Sequence, residues 1–170
     1  MAHPKVMDAL HLPVQSGSDA VLARMAREYT RRDYLARVQR LRAMNPDLAL
    51  QTDVIVGFPG ETEDEFRQTL DLLREVGFEG VYSFKYSPRP LTKASRTLPD
   101  DVPEDVKAER LARLQLLQDE LQAPRDAERV GRVETVLVDG MSKRSDLEVA
   151  GRTSRHHVVN MPGDPGMIGL

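Results

Sequence analysis

The sequence predicts an α/β fold of parallel strands with helical crossovers, followed by a small all-β module. Three observations carry this reading. Short apolar, β-branched runs alternate with stretches of helical period up to Tyr86. Each strand candidate ends in a polar or glycine–proline cluster: Gln15-Ser16-Gly17-Ser18, then Gly57–Glu61, then Ser87-Pro88-Arg89-Pro90. From Arg132 onward the apolar period changes to two. Helical crossovers join parallel strands and are almost always right-handed. The three clusters therefore share one rim, at the carboxyl ends of the strands, where α/β proteins hold ligands.

Val6–Leu12 is apolar enough for the first strand and stops at Pro13. Ser18 or Asp19 supplies an N-cap for a helix over Ala20–Arg27, with Val21, Leu22 and Met25 at helical spacing and Glu28-Tyr29 closing it. Thr30 caps a second helix carrying Tyr34, Leu35, Val38 and Leu41, and Asn45-Pro46 ends it because the residue before proline avoids helical angles. The strand Ala49–Val56 follows, and Gly57-Phe58-Pro59-Gly60 cannot extend it. Thr62 and Glu65 have the spacing of a capping box, in which each side chain accepts from the other residue's backbone N–H. That box opens the helix Glu63–Val76, whose stripe is Phe66, Leu70, Leu73 and Val76, and Gly77 supplies the left-handed stop. Val81–Tyr86 is the third strand.

Ser87–Val102 reads as a proline-containing connection with little apolar content. Pro103 suits a first helical turn, Glu104 and Asp105 complement its dipole, and Val106, Leu111, Leu114, Leu117 and Leu121 make an apolar face. Pro124 is expected to break or kink this helix, and Gly131 to end it. Strands are predicted from Val133 to Val138 and over Leu147–Thr153 and His157–Met161. The domain boundary falls between 1–130 and 131–170.

Composition narrows the chemistry. The 170 residues carry a net charge of −3, so any nucleic-acid contact must be a local basic patch. There are no cysteines, which excludes disulfides, thiolate nucleophiles, zinc–thiolate sites and iron–sulfur ligation by this chain. No apolar run approaches the roughly 18 residues of a membrane span, and no signal peptide is visible, so the default location is the cytoplasm with no membrane partner. No Phe, Tyr or Trp follows Tyr86, so the β module has no platform for stacking bases. Its basic residues are Lys143, Arg144, Arg152 and Arg155, which allow either a phosphate-binding face or a merely solvated one. His156 and His157 are neighbours that a strand would point to opposite faces, which argues against a shared metal.

Three stretches together resemble a known family: His11-Leu12-Pro13-Val14-Gln15-Ser16-Gly17-Ser18, Thr52–Thr62, and Phe84-Lys85-Tyr86-Ser87-Pro88-Arg89-Pro90. They are similar in order and spacing to the radical S-adenosylmethionine methylthiotransferases. HLPVQSGS with YSPRP looks like the tRNA branch, which places a methylthio group on C2 of an isopentenylated adenosine beside the anticodon. Residues 131–160, with Gly151-Arg152-Thr153 and Val158-Val159-Asn160, look like the start of that family's C-terminal TRAM RNA-binding barrel.

The resemblance implies a fold, a half radical-SAM barrel with a truncated β-barrel module. It also implies cofactor contacts. Gln15 corresponds to a residue that binds the ribose of S-adenosylmethionine, and Arg27 to one that binds its carboxylate. Asp53 and Ile55 lie on the strand supporting the nucleoside, with Ile55 against adenine. These side chains suit the roles, since an amide bonds vicinal hydroxyls and a guanidinium clamps a carboxylate. The resemblance implies tRNA as partner and 4Fe–4S clusters in the complete family. The family's cluster-bearing N-terminal domain and CxxxCxxC loop have no counterpart here, so the chain reads as a fragment, inactive alone unless another chain supplies the missing half. Leu91 and Lys93 stand where the family usually has glycine and proline. Two other readings remain: a binding-only RNA module or catalytically dead remnant, and an unrelated barrel enzyme using Glu61 or Asp53 as a base.

Overall fold

The computed structural model describes residues 8–169. The elements are β1 (Ala9–His11), α1 (Asp19–Arg24), α2 (Arg31–Met44), β2 (Ala49–Val56), α3 (Glu63–Val76), β3 (Gly80–Lys85), α4 (Lys93–Thr97), α5 (Glu104–Arg129), β4 (Val136–Met141), β5 (Glu148–Thr153) and β6 (Val158–Pro162). A 3-10 turn spans Pro165–Met167.

β1, β2 and β3 form a parallel sheet in that spatial order. Neighbours in sequence are neighbours in space, with no reversal. That is the winding of a barrel, and equally of one half of a doubly wound sheet on one side of its switch point. The crossover helices therefore lie on the same face. Leu50, Val54 and Val56 of β2 pack there with Tyr34 and Val38 of α2, with Phe66, Leu70 and Leu73 of α3, and with Leu114 and Leu117 of α5. The other face carries His11, Gln51, Asp53, Ile55, Tyr82 and Phe84, which the strand register places side by side. Helices leave this face uncovered, and Tyr82 and Phe84 are 46% and 54% exposed.

The N-termini of the longer crossover helices form by local chemistry. Thr30 with Asp33 and Thr62 with Glu65 make complete capping boxes. Gly77 ends α3 at φ +58°, where an L residue would be strained. β1 is described only from Asp8, so the predicted start at Val6 lies outside the described residues.

Four elements depart from expectation. α1 stops at Arg24, three residues short of the predicted end. Ala26 turns left-handed at φ +56°, and the N–H groups of Ala26 and Arg27 donate back to the carbonyls of Ala23 and Leu22. This is a Schellman stop built on alanine, which sequence does not announce. The connection Ser87–Val102 contains α4, capped by the Thr92 hydroxyl accepting from the Ser95 N–H. α5 runs through Pro124 to Arg129. The residues past the proline are held from outside the helix: Arg125 donates to the Phe78 carbonyl at 2.8 Å, and Arg129 to the Glu79 carboxylate. The third strand of each sheet lies one residue from its expected bounds, and β4 begins at Val136, because Val133 is fully exposed and has no partner strand to alternate against.

β4, β5 and β6 form a separate antiparallel sheet, with a bulge between Val138 and Gly140. Glu79, between α3 and β3, ties this sheet to the rest. Its carboxylate is 5% exposed and pairs with Arg129 from α5, with Arg155 at 3.2 Å, and lies 2.9 Å from His157 Nε2.

Candidate functional site

Past β1 the chain continues alongside β2. The Leu12 N–H donates to the Gln51 carbonyl and the Gln15 N–H to the Asp53 carbonyl, both at 2.8 Å, while the Gln15 carbonyl accepts from Ile55 at 2.9 Å. Thr52 stitches the segment between: its hydroxyl donates to the Leu12 carbonyl and accepts from the Val14 N–H, each at 2.9 Å. Tyr34 donates to the same Leu12 carbonyl at 2.8 Å, and burial pushes its phenol up to about 12, so it stays a donor. These bonds hold Gln15 left-handed at φ +71° and nearly buried. Strain of this kind persists only where the surroundings over-determine it.

Ser16 and Gly17 do a different job. The Gly17 N–H donates to the Thr69 hydroxyl of α3 at 2.9 Å, and the Ser16 hydroxyl lies 3.3 Å from it. A Cβ on Gly17 would come within 2.6 Å of the Thr69 Cα. The serine–glycine pair is thus the place where loop and helix touch.

The second rim cluster rests on α5. The Gly57 N–H donates to the Glu61 carboxylate at 2.6 Å, and Arg110 donates to the same oxygen at 3.0 Å. The Lys107 stem lies against Gly57, whose φ is +70°, and its ammonium reaches Asp100 at 2.5 Å. Burial pushes the Glu61 carboxyl up, against the Gly57 hydrogen bond and the Arg110 charge. With its side chain 1% exposed, Glu61 holds the loop and presents no base to a substrate.

Gln15, Arg27, Asp53 and Ile55 all line one open cleft of about 430 Å³ at this rim. Gln15 comes from the β1 loop, Asp53 and Ile55 from the uncovered face of β2, and Arg27 from the turn that ends α1. Among the described residues Arg27 makes no ion pair, leaving its guanidinium available to an anion. Asp53 Oδ1 lies 3.1 Å from His11 Nε2. The sequence reading missed the opposite wall. Phe58 and Tyr86 meet edge to face at 5.0 Å, and Phe84, Arg89 and Thr92 line the same cleft. Phe58 and Tyr86 sit inside the motif stretches, so their placement was the only missing information.

The basic residues of the β module are not brought together. Lys143 and Arg144 are exposed in the β4–β5 connection. Arg152 pairs with Asp139 at 3.2 Å and lies 3.0 Å from His156, and Arg155 pairs with Glu79. The six residues of β5 separate the two ends, about 20 Å apart at 3.3 Å per residue. His157 is held low by burial and by the neighbouring Arg129, despite Glu79. No group of three or more metal-ligating side chains occurs among the described residues, and no helix there is long and apolar enough to cross a membrane.

Comparison with known proteins gives a consistent picture. Residues 2–73 match the family model of the Radical SAM superfamily. The chain is 50% identical over 166 residues to the tRNA-2-methylthio-N(6)-dimethylallyladenosine synthase of Aromatoleum aromaticum, covering 98% of this chain and 37% of that protein. It is 51% identical over 160 residues to the protein of the same name from Magnetococcus marinus, covering 94% and 36%. The chain thus spans little more than a third of the length of these relatives. A solved radical SAM enzyme, coproporphyrinogen III oxidase from Escherichia coli, superposes with a TM-score of 0.54 over 86% of this chain and 39% of that one, at 21% identity, which speaks to fold alone.

Proposed function

We propose that the chain belongs to the radical S-adenosylmethionine methylthiotransferases and supplies one wall of a nucleoside site in an enzyme methylthiolating isopentenylated adenosine in tRNA. Its first 130 residues read as the C-terminal part of the radical barrel. Residues 131–170 read as part of a TRAM-type module touching RNA phosphates through Lys143 and Arg144.

The observation that carries this is the convergence of Gln15, Arg27, Asp53 and Ile55 on one cleft. The donor set fits S-adenosylmethionine. The Gln15 amide would bond ribose hydroxyls, the Arg27 guanidinium would clamp the methionyl carboxylate, Asp53 would accept from a nucleoside donor, and Ile55 with Phe58 would give adenine an apolar wall. When bound, the cofactor would supply a sulfonium whose sulfur–carbon bond is cleaved on accepting an electron delivered from outside this chain. The residues do not fit an iron–sulfur cluster. Such clusters are held by cysteine thiolates, and this chain has no cysteine and no substitute ligand group among the described residues. Cluster chemistry must therefore come from outside these 170 residues.

A chimera tests the reading. The matching segment of the Aromatoleum synthase is replaced by this chain, and tRNA from cells carrying only the chimera is digested and analysed by mass spectrometry. Methylthiolated isopentenyladenosine is expected, with loss of product on Gln15→Ala or Arg27→Ala. A soluble, cluster-loaded chimera that makes no product would overturn the proposal.

A further inference from the structure

A strongly charged cavity lies at the other end of the sheet. About 600 Å³ in volume, it opens between the C-terminal ends of α2, α3 and α5 and the β5–β6 turn. Arg42, Arg74, Arg125, Arg129, Arg132 and Arg155 line it against Asp47, Glu75, Glu79 and Glu128. Six positive groups face four negative ones, in a chain whose net charge is −3. Pairs that reach outside the lining act both ways: Arg74 is matched by Asp71, and Arg129 also by Asp126. Glu75 pairs with Arg31 at 2.8 Å, and Arg42 and Arg125 donate to the neutral carbonyls of Val76 and Phe78, which leave their charge uncompensated. Arg132 makes no side-chain hydrogen bond or ion pair among the described residues, and Arg74 pairs only with Asp71 on the helix surface. The Arg155 Nε is buried without a partner.

We propose that this arginine basin is the chain's principal seat for RNA backbone phosphates. The inference rests on the tRNA reading above and names where the RNA is held. Guanidinium groups suit phosphate because their planar fork donates two parallel hydrogen bonds. The basin has no aromatic side chain in its lining, so it offers no stacking for bases and recognises backbone rather than sequence. It is too large for one phosphate group and straddles the junction of the α/β unit and the β module, which suits a strand crossing from one to the other. It is distinct from the module face expected from sequence: of those four basic residues, only Arg155 reaches it.

The test is fluorescence anisotropy of a labelled RNA stem-loop with the full chain over a range of KCl concentrations, with tripolyphosphate as competitor. The variants are Arg74→Ala and Arg132→Ala, both exposed, and a Lys143→Ala/Arg144→Ala pair at the far end of the module. Thermal melts confirm folding. Arg74→Ala and Arg132→Ala are each expected to weaken binding several-fold and to lower the log–log salt slope by about 0.7–0.9, one phosphate contact each. Tripolyphosphate should compete. If RNA binds with an unchanged slope in both variants and is lost only in the Lys143/Arg144 pair, the basin is overturned while the tRNA reading stands. If tripolyphosphate binds and RNA does not, the basin takes another polyanion and the proposal is overturned. If the wild-type chain binds no RNA at low salt, both the basin and the RNA-binding part of the function reading fail.

Discussion

Gln15 holds φ at +71°, a left-handed backbone that costs an L residue about 1–2 kcal/mol. Glycine would adopt it without strain, so Gln15→Gly separates fold from function. Chemical denaturation should show stability unchanged or higher, within about 1 kcal/mol. Nucleoside binding should weaken by about 0.5–1.5 kcal/mol, the worth of a lost hydrogen bond. A variant that is both less stable and equally competent to bind would show the side chain to be structural. Leu91 makes a related case. It is left-handed at φ +72° and 80% exposed, a backbone that glycine adopts without strain. Lys93 is the first residue of α4, the place in a helix where a missing N–H costs nothing. Leu91→Gly and Lys93→Pro should therefore each raise stability, by about 0.5–1 kcal/mol, measured as a shift in the thermal midpoint. Destabilisation by either would mean that the α4 segment rearranges elsewhere in the protein. Gln15, Asp53 and Ile55 could be singled out because they lie inside the motif stretches, whereas Arg27 lies outside all three and was reached only through the resemblance. Ser16 and Gly17 show the limit: they sit in the same motif yet serve the contact with Thr69, which lies more than 50 residues away.

Among the elements, α3 could be read from sequence at both ends from its capping box and left-handed glycine, and α2 from the Thr30 cap and the Asn45-Pro46 stop, because all of these are local chemistry. α4 could not. Its five residues bury no side chain and leave no apolar period to detect. The end of α1 was missed because Ala26 takes a conformation that alanine rarely signals. α5 differs for an energetic reason. Proline inside a helix costs about 3 kcal/mol relative to alanine, yet α5 continues because Arg125 and Arg129 are anchored on the Phe78 carbonyl and on Glu79. Pro124→Ala should thus stabilise the chain by up to about 3 kcal/mol, seen as a higher urea midpoint at unchanged slope. A lower midpoint would mean that the proline fixes a bend these anchors require. In α3, Gly17→Ala on the facing loop should destabilise by about 1–3 kcal/mol, since the new methyl meets the helix backbone rather than a flexible side chain.

For the molecule as a whole, the two sheets are held together by one buried carboxylate. Burial pushes Glu79 up, but the Arg129 and Arg155 bonds and charges outweigh it and hold the group below its ordinary value. Such a carboxylate contributes stability above its unfolded pKa, and loses it as pH falls through the lower folded one. His157 is also held low, by burial first and then by Arg129. Protonating it is disfavoured in the folded state, so stability starts to fall as pH drops below about 6.5. Both groups act in the same direction. The thermal midpoint should decline from near neutral pH into the carboxylate range, and the gap between wild type and Glu79→Gln should close over that fall. A gap independent of pH would remove Glu79 from the junction. None of this was readable from sequence, because Glu79, Arg129, Arg155 and His157 converge from three distant segments and have no shared motif.

The central claim is that four side chains from three segments form one nucleoside-binding wall. Its most direct test is an amide NMR titration of the full chain with S-adenosylmethionine. Saturable shifts are predicted at Gln15, Arg27, Asp53 and Ile55, with neighbours such as Phe58 following, and their loss in Gln15→Ala and Arg27→Ala variants that keep the wild-type spectrum elsewhere. Silent resonances at those four positions up to millimolar cofactor, or the same shifts in both variants, would contradict it.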